Sequence, residues 1–134
     1  IEDGDLASWY KAVMQLQSDS VRDMLLVCLF TGMRRGEASN LTWDKINLKG
    51  GFIQLRPADT KNNEPHRVYL SNFLVNLFEE KELYRDDLNP FVFPSRVPGK
   101  PIGEPKASIN KVTKATKIEF STHDLRRTYL SIAQ

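Results

Sequence analysis

The sequence predicts an α+β domain that is mostly helical, with a small three-stranded antiparallel sheet packed against a helical core. Three observations carry this. Apolar residues recur at helical spacing near the N-terminus. Residues 46–70 alternate around a Gly50-Gly51 turn, as strands do. Ser121 and Asp124 stand at capping-box spacing and open a last helix. The length of 134 residues suits one domain and is too short for two ordinary ones. With 40% hydrophobic and 27% charged residues, the composition excludes a disordered or fibrous chain.

The elements follow in order. Leu6, Trp9, Tyr10, Val13 and Leu16 share one helical face, in a helix beginning near Asp5. Ser20 and Asp23 resemble a second capping box. The run Met24–Phe30 then reads as a buried helix, apolar all round, and Gly32 is its expected stop. A short helix is expected from about Gly36 to Trp43. Ile46-Asn47-Leu48 and Phe52-Ile53-Gln54-Leu55 read as strands joined at Lys49-Gly50-Gly51. Pro57 to Pro65 is a polar loop, and His66–Leu70 returns as the third strand.

Ser71 is expected to cap a helix bearing Phe73, Leu74, Leu77 and Phe78. Residues 86–105 are irregular and proline-rich, anchored at Phe91-Val92-Phe93. A helix from Pro105 to about Ile118, with proline at its first position, would turn Ile109, Val112 and Ala115 inward. Lys106, Lys111, Lys114 and Lys117 would share its outer side. The last helix opens at Ser121 or Thr122 and is expected to run to Gln134. Leu125, Tyr129 and Ile132 would be its buried side.

The longest apolar run, Met24–Phe30, is far too short to cross a membrane. The acidic start, Ile1-Glu2-Asp3-Gly4-Asp5, has no apolar segment behind it and does not read as a targeting peptide. The single cysteine, Cys28, sits in the apolar run as a small buried hydrophobe, and a reducing, intracellular setting is expected. One cysteine and two histidines are too few for a zinc site. The net charge of +2 is unevenly spread. Residues 1–90 balance to −3 and residues 91–134 to +5. A basic C-terminal third points to a face that meets an anion, with nucleic acid the first candidate.

Three constellations could carry chemistry. In Thr122–Thr128, His123 falls in the first turn of a helix, and Arg126 lies about 60° away on the wheel. A helix start with free N–H groups and basic side chains suits a phosphate. Periodicity does not choose between Arg126 and Arg127. In Thr31-Gly32-Met33-Arg34-Arg35-Gly36-Glu37, Arg34 follows the most buried helix and should be rigidly placed, with Glu37 near enough to orient it. In the 57–65 loop, Lys61 could reach a cleft as a proton donor.

Together these segments resemble the catalytic domain of the tyrosine recombinase (phage integrase) family. Thr31–Glu37 with Leu41-Thr42-Trp43 is similar to the box around its first catalytic arginine. Lys61 before Arg67-Val68-Tyr69-Leu70 is similar to its catalytic-lysine hairpin, and Phe91-Val92-Phe93-Pro94-Ser95 to its lead-in to the second half. Thr122–Thr128 is similar to its His-x-x-Arg box. The likeness spans about residues 5–134.

The resemblance implies an enzyme that breaks and rejoins double-stranded DNA through a 3′-phosphotyrosine link. No ATP, metal or other cofactor is implied. Arg34 and Arg126 would clamp the scissile phosphate, and the family pattern selects Arg126 over Arg127. His123 would hydrogen-bond the phosphate or assist proton transfer. Lys61 would protonate the leaving 5′-hydroxyl, and Glu37 would support Arg34. Arg35, Arg127 and the four α-helical lysines, Lys106, Lys111, Lys114 and Lys117, would contact DNA.

The family's nucleophilic tyrosine and third-box His or Trp are expected beyond Gln134, and its core-binding domain before Ile1. Residues 1–134 therefore read as a fragment, binding DNA without cleaving it. The full-length protein would form a tetramer on DNA, and the chain itself a monomer. A non-catalytic DNA-binding module of the same fold and a type IB topoisomerase-like enzyme are the alternatives.

Overall fold

The computed structural model describes residues 1–132. Helix α1 spans Leu6–Val13 and follows a 3₁₀ turn at Asp3–Asp5. Trp9 and Val13 are its buried residues. The helix stops short of Leu16, which still packs against the core from the following turn.

Helix α2, Asp19–Thr31, is the centre of the domain. Met24 through Leu29 are buried without a break. Its cap is Ser18, not Ser20. Ser18 has extended backbone and its Oγ accepts from the Val21 N–H at 3.2 Å. Ser20 already lies inside the first turn. Asp23 is buried and serves a tertiary contact, accepting from Arg22 at 2.9 Å and from Lys81 of a later helix at 3.1 Å. Gly32 ends α2 in the left-handed conformation, with φ +73°. Any side chain there would collide with the ring of Tyr129.

Helix α3 is shorter than expected, Arg35–Ser39. The chain leaves it to pair with the Phe91 segment. Val92 donates to the Leu41 carbonyl at 3.0 Å and Trp43 to the Pro90 carbonyl at 3.1 Å. These long-range bonds take backbone groups a longer helix would have used.

The sheet has the expected order, β1 (Ile46–Asn47), β2 (Phe52–Leu55), β3 (His66–Tyr69), all antiparallel. Leu48 belongs to the turn rather than β1. Ile53 pairs with Val68 on the buried face, while Phe52 pairs with Tyr69 and Gln54 with Arg67 on the other. Lys45 and Asp59 form an ion pair of 2.9 Å at the root of the 57–65 loop, both side chains largely buried.

Helix α4, Asn72–Leu83, is capped by Ser71 and buries Leu74 and Phe78. Helix α5, Lys106–Thr116, packs on α1. Pro105 is its N-cap and not its first helical residue. Ile109 and Val112 face the core, but Ala115 is exposed, because α1 covers only part of that face. Helix α6, Thr122–Ile132, packs along α2. Ser121 and Asp124 form the expected reciprocal cap, at 2.9 and 3.1 Å. Its buried residues are Thr122, Leu125 and Thr128. Tyr129 is half-buried against Gly32, and Ile132 is 58% exposed, having passed the end of the surface α2 offers. The expected run to Gln134 lies outside the described residues. No described helix is long and apolar enough to cross a membrane.

Candidate phosphate-binding cleft

The close packing of α2 and α6 sets up the site. Arg34 is the residue before α3, two positions past the glycine that ends α2. Its backbone N–H donates to Glu37 Oε1 at 3.0 Å, and its guanidinium lies 3.6 Å from Glu37 Oε2. The Glu37 side chain is only 9% exposed, so it is a fixed support. Arg126, one turn into α6, donates through Nη1 to the carbonyl oxygen of Gly32. The α2 terminus therefore positions both arginines, one by chain connectivity and one by a hydrogen bond.

A cleft of about 250 Å³ opens between these elements and the 57–65 hairpin. Arg34, Glu37 and Arg126 line it on the helical side. Thr60, Asn62, Glu64, Pro65 and His66 line it from the hairpin. The cleft is thus mixed in charge, with two carboxylates beside the two guanidiniums. Guanidinium forks in such a setting suit a phosphate held through two oxygens.

The other expected site residues fall elsewhere. Lys61 is exposed at the hairpin tip and does not line the cleft, although its neighbours Thr60 and Asn62 do. His123 is exposed in the first turn of α6, a turn before Arg126, and is also outside the lining. The four grouped residues expected on one cleft are therefore two on the cleft and two beside it. Arg35 is turned to Glu104, in a 2.8 Å ion pair. Arg127 pairs with Asp124 at 3.3 Å on the surface. Lys106, Lys111 and Lys114 are exposed on α5, Lys117 is exposed at its C-cap with φ +64° because the helix ends before the expected Ile118, and none of the four lines the cleft.

Sequence reasoning missed His66, Glu64 and Asn62 as cleft residues. For His66 a signal existed. It stands two residues before the buried Val68, so strand alternation puts both on one face. For Glu64 and Asn62 there was none, since the loop's path is set by its own bonds. Thr60 Oγ1 donates to the Glu64 carbonyl at 2.8 Å, and Asn63 takes a positive φ of 59°.

The root of the hairpin is held electrostatically. Burial pushes the Asp59 carboxyl up, but the Arg56 N–H at 2.8 Å and the Lys45 ammonium outweigh it and hold Asp59 below the usual carboxylate range. Beneath the site, burial pushes the Cys28 thiol up to about 12, which makes it inert. Among the described residues no group of three or more His, Cys, Asp or Glu could hold a metal ion. A separate, larger groove of about 720 Å³, walled in part by Tyr10, Phe73, Leu77 and Tyr84, holds neither arginine of the cleft.

Comparison with known proteins agrees with this architecture. Among curated relatives, the chain is 30% identical over 98 residues to prophage integrase IntZ of Escherichia coli, covering 73% of this chain and 24% of that protein. It is 27% identical over 131 residues to prophage integrase IntF of the same organism, covering 96% and 28% respectively. The chain therefore spans about a quarter of the length of these relatives. Its fold is shared with XerA recombinase (TM-score 0.77, 20% identity, 99% of this chain and 48% of that one). It is shared also with the catalytic domain of bacteriophage HP1 integrase (TM-score 0.68, 19% identity, 98% and 69%). A third match is XerH site-specific recombinase bound to palindromic difH substrate (TM-score 0.78, 17% identity, 99% and 41%). The model of the phage integrase family matches residues 5–132, and the chain belongs to that family.

Proposed function

We propose that this chain grips a DNA phosphate between Arg34 and Arg126 and forms the phosphate-activating part of a site-specific recombinase. The observation that carries the reading is that these two arginines, far apart in sequence, line one cleft. In-line attack on a phosphodiester builds negative charge on the non-bridging oxygens, and two fixed guanidiniums oppose it. Arg126 is braced by the Gly32 carbonyl and Arg34 by Glu37.

A tyrosine oxygen attacks phosphorus, the bond to the 5′-oxygen breaks, and the energy is kept in the phosphotyrosine. Lys61 delivers the proton to the departing 5′-oxygen, moving inward from the exposed hairpin tip. His123 hydrogen-bonds the phosphate from the α6 start or assists the proton transfer. Tyr10, Tyr69, Tyr84 and Tyr129 do not line the cleft. Alone, the chain binds double-stranded DNA without cutting it. Arg35, Arg127, Lys106, Lys111, Lys114 and Lys117 add DNA-backbone contacts outside the cleft. The integrase names of the curated relatives, and the Tn1549 transposon integrase in complex with circular intermediate DNA (TM-score 0.74), support this reading.

The test is binding of a duplex oligonucleotide by wild type, Arg34→Ala and Arg126→Ala. Each substitution is expected to weaken binding by about tenfold or more. A protein that carries this chain together with a tyrosine nucleophile is expected to be trapped covalently on nicked DNA. Equal affinity in all three proteins, or a covalent trap that survives both substitutions, would sink the reading.

A further inference from the structure

The cleft contains two titratable groups to which the mechanism above gives no role, Glu64 and His66, and only the imidazole of His66 can donate to a phosphate. His66 opens β3, paired in register with the buried Leu55 of β2. Its backbone is held by the β2–β3 pairing, and its carbonyl accepts from Gln54 Nε2 at 3.4 Å. Lys61, by contrast, sits on the exposed tip. The imidazole is exposed and lines the cleft wall across from the helical elements that carry Arg34 and Arg126.

We propose that His66 is a third DNA-phosphate contact, donating an imidazole N–H to a phosphate oxygen from the hairpin side. This rests on the DNA reading above. The charged groups that share its cleft are Arg34, Arg126, Glu37 and Glu64. Glu37 is engaged by Arg34. Glu64 makes no ion pair among the described residues, and it stands two positions from His66 on the same limb. An imidazolium N–H makes a charge-assisted hydrogen bond to a phosphate oxygen, stronger than the neutral ring makes. Histidine is the side chain whose charge changes between about pH 5 and 8, so the contact makes affinity pH-dependent in that range.

The sequence has only two histidines, His66 and His123, which makes the apportioning clean. Duplex affinity is measured from pH 5.5 to 8.5 (values chosen to bracket roughly the histidine range) for wild type, His66→Ala, His66→Gln, His123→Ala and the double variant. Wild type is expected to bind more tightly at the acid end. His66→Ala should lose about tenfold there and little at the alkaline end, with a salt slope shallower by about 0.9 in acid. His66→Gln, which keeps an N–H but cannot charge, should flatten the pH profile with a smaller loss. In parallel, the His66 ring resonance is followed by NMR as inorganic phosphate is added, in wild type and in Arg34→Ala.

A His66→Ala profile parallel to wild type overturns the proposal and leaves the DNA reading intact. So does a His66 resonance unmoved by phosphate. A wild type that fails to bind duplex while phosphate still shifts His66 overturns the DNA reading and leaves His66 a contact for phosphate but not for DNA.

Discussion

Substituting Gly32 with alanine tests the link between core packing and the phosphate cleft. Two costs add at this position. The backbone has φ +73°, where a side chain costs about 1–2 kcal/mol. The new methyl would also meet the ring of Tyr129, which lies directly over Gly32. Forcing an atom into a packed contact costs about 1–3 kcal/mol more. The expected total is about 2–5 kcal/mol, a large share of the roughly 5–15 kcal/mol that holds a domain of this size.

Urea denaturation reads this as a lower midpoint with an unchanged slope. The steric part is separable. In a Tyr129→Ala background only the backbone part remains, about 1–2 kcal/mol, so the two substitutions should couple by about 1–3 kcal/mol. Because the Gly32 carbonyl holds Arg126, Gly32→Ala should also weaken duplex binding under conditions where the protein is still folded. Additive effects of the two substitutions would refute the packing argument. Full DNA affinity in folded Gly32→Ala would refute the claim that this carbonyl positions Arg126.

Asp59→Asn should lower stability by about 3 kcal/mol, since it leaves the Lys45 ammonium buried without its partner. A carboxyl held below its ordinary range adds stability above about pH 4, which is lost as pH falls through the depressed value. The wild-type advantage over Asp59→Asn should therefore vanish in acid titrations of urea midpoints, and a constant difference would count against the pairing. Cys28, buried with its thiol pushed up to about 12, should react with a thiol reagent only as fast as the protein unfolds. Rapid labelling of the native state would show α2 to be less enclosed than described. Ser121→Ala should cost about 1 kcal/mol and speed hydrogen exchange at the Asp124 amide, which Ser121 Oγ accepts. Unchanged exchange there would mean the cap does not hold the first turn.

Much of the fold was legible because it rests on short-range patterns. The burial of Met24–Leu29, the stop at Gly32, the strand pairs around Gly50-Gly51 and the Ser121–Asp124 cap all follow from neighbours within a few residues. The misreadings share a different cause. Ser20 with Asp23 had the right spacing for a cap, yet Asp23 is claimed by Lys81 from α4, a partner no local pattern shows. Helix α3 ends early because Leu41 and Trp43 pair with the Phe91 segment. Ala115 and Ile132 had the right period for burial, but the neighbouring helices do not reach far enough to cover them.

The site divides in the same way. By itself the sequence determined which side chains are available to meet a phosphate, and that Arg34 and Arg126 each stand at the end of a rigid element. The tertiary structure alone decided that α6 lies along α2, so that Arg126 reaches the carbonyl beside Arg34 and the two share a cleft. It also decided that His66 and Glu64 face that cleft while Lys61 and His123 stand beside it. The physical reason is that helix caps and strand alternation are set by local sterics and hydrogen bonds. Which side chains meet across a cleft depends instead on how separate elements bury their apolar faces against one another, and on loop paths fixed by bonds such as Thr60 to Glu64.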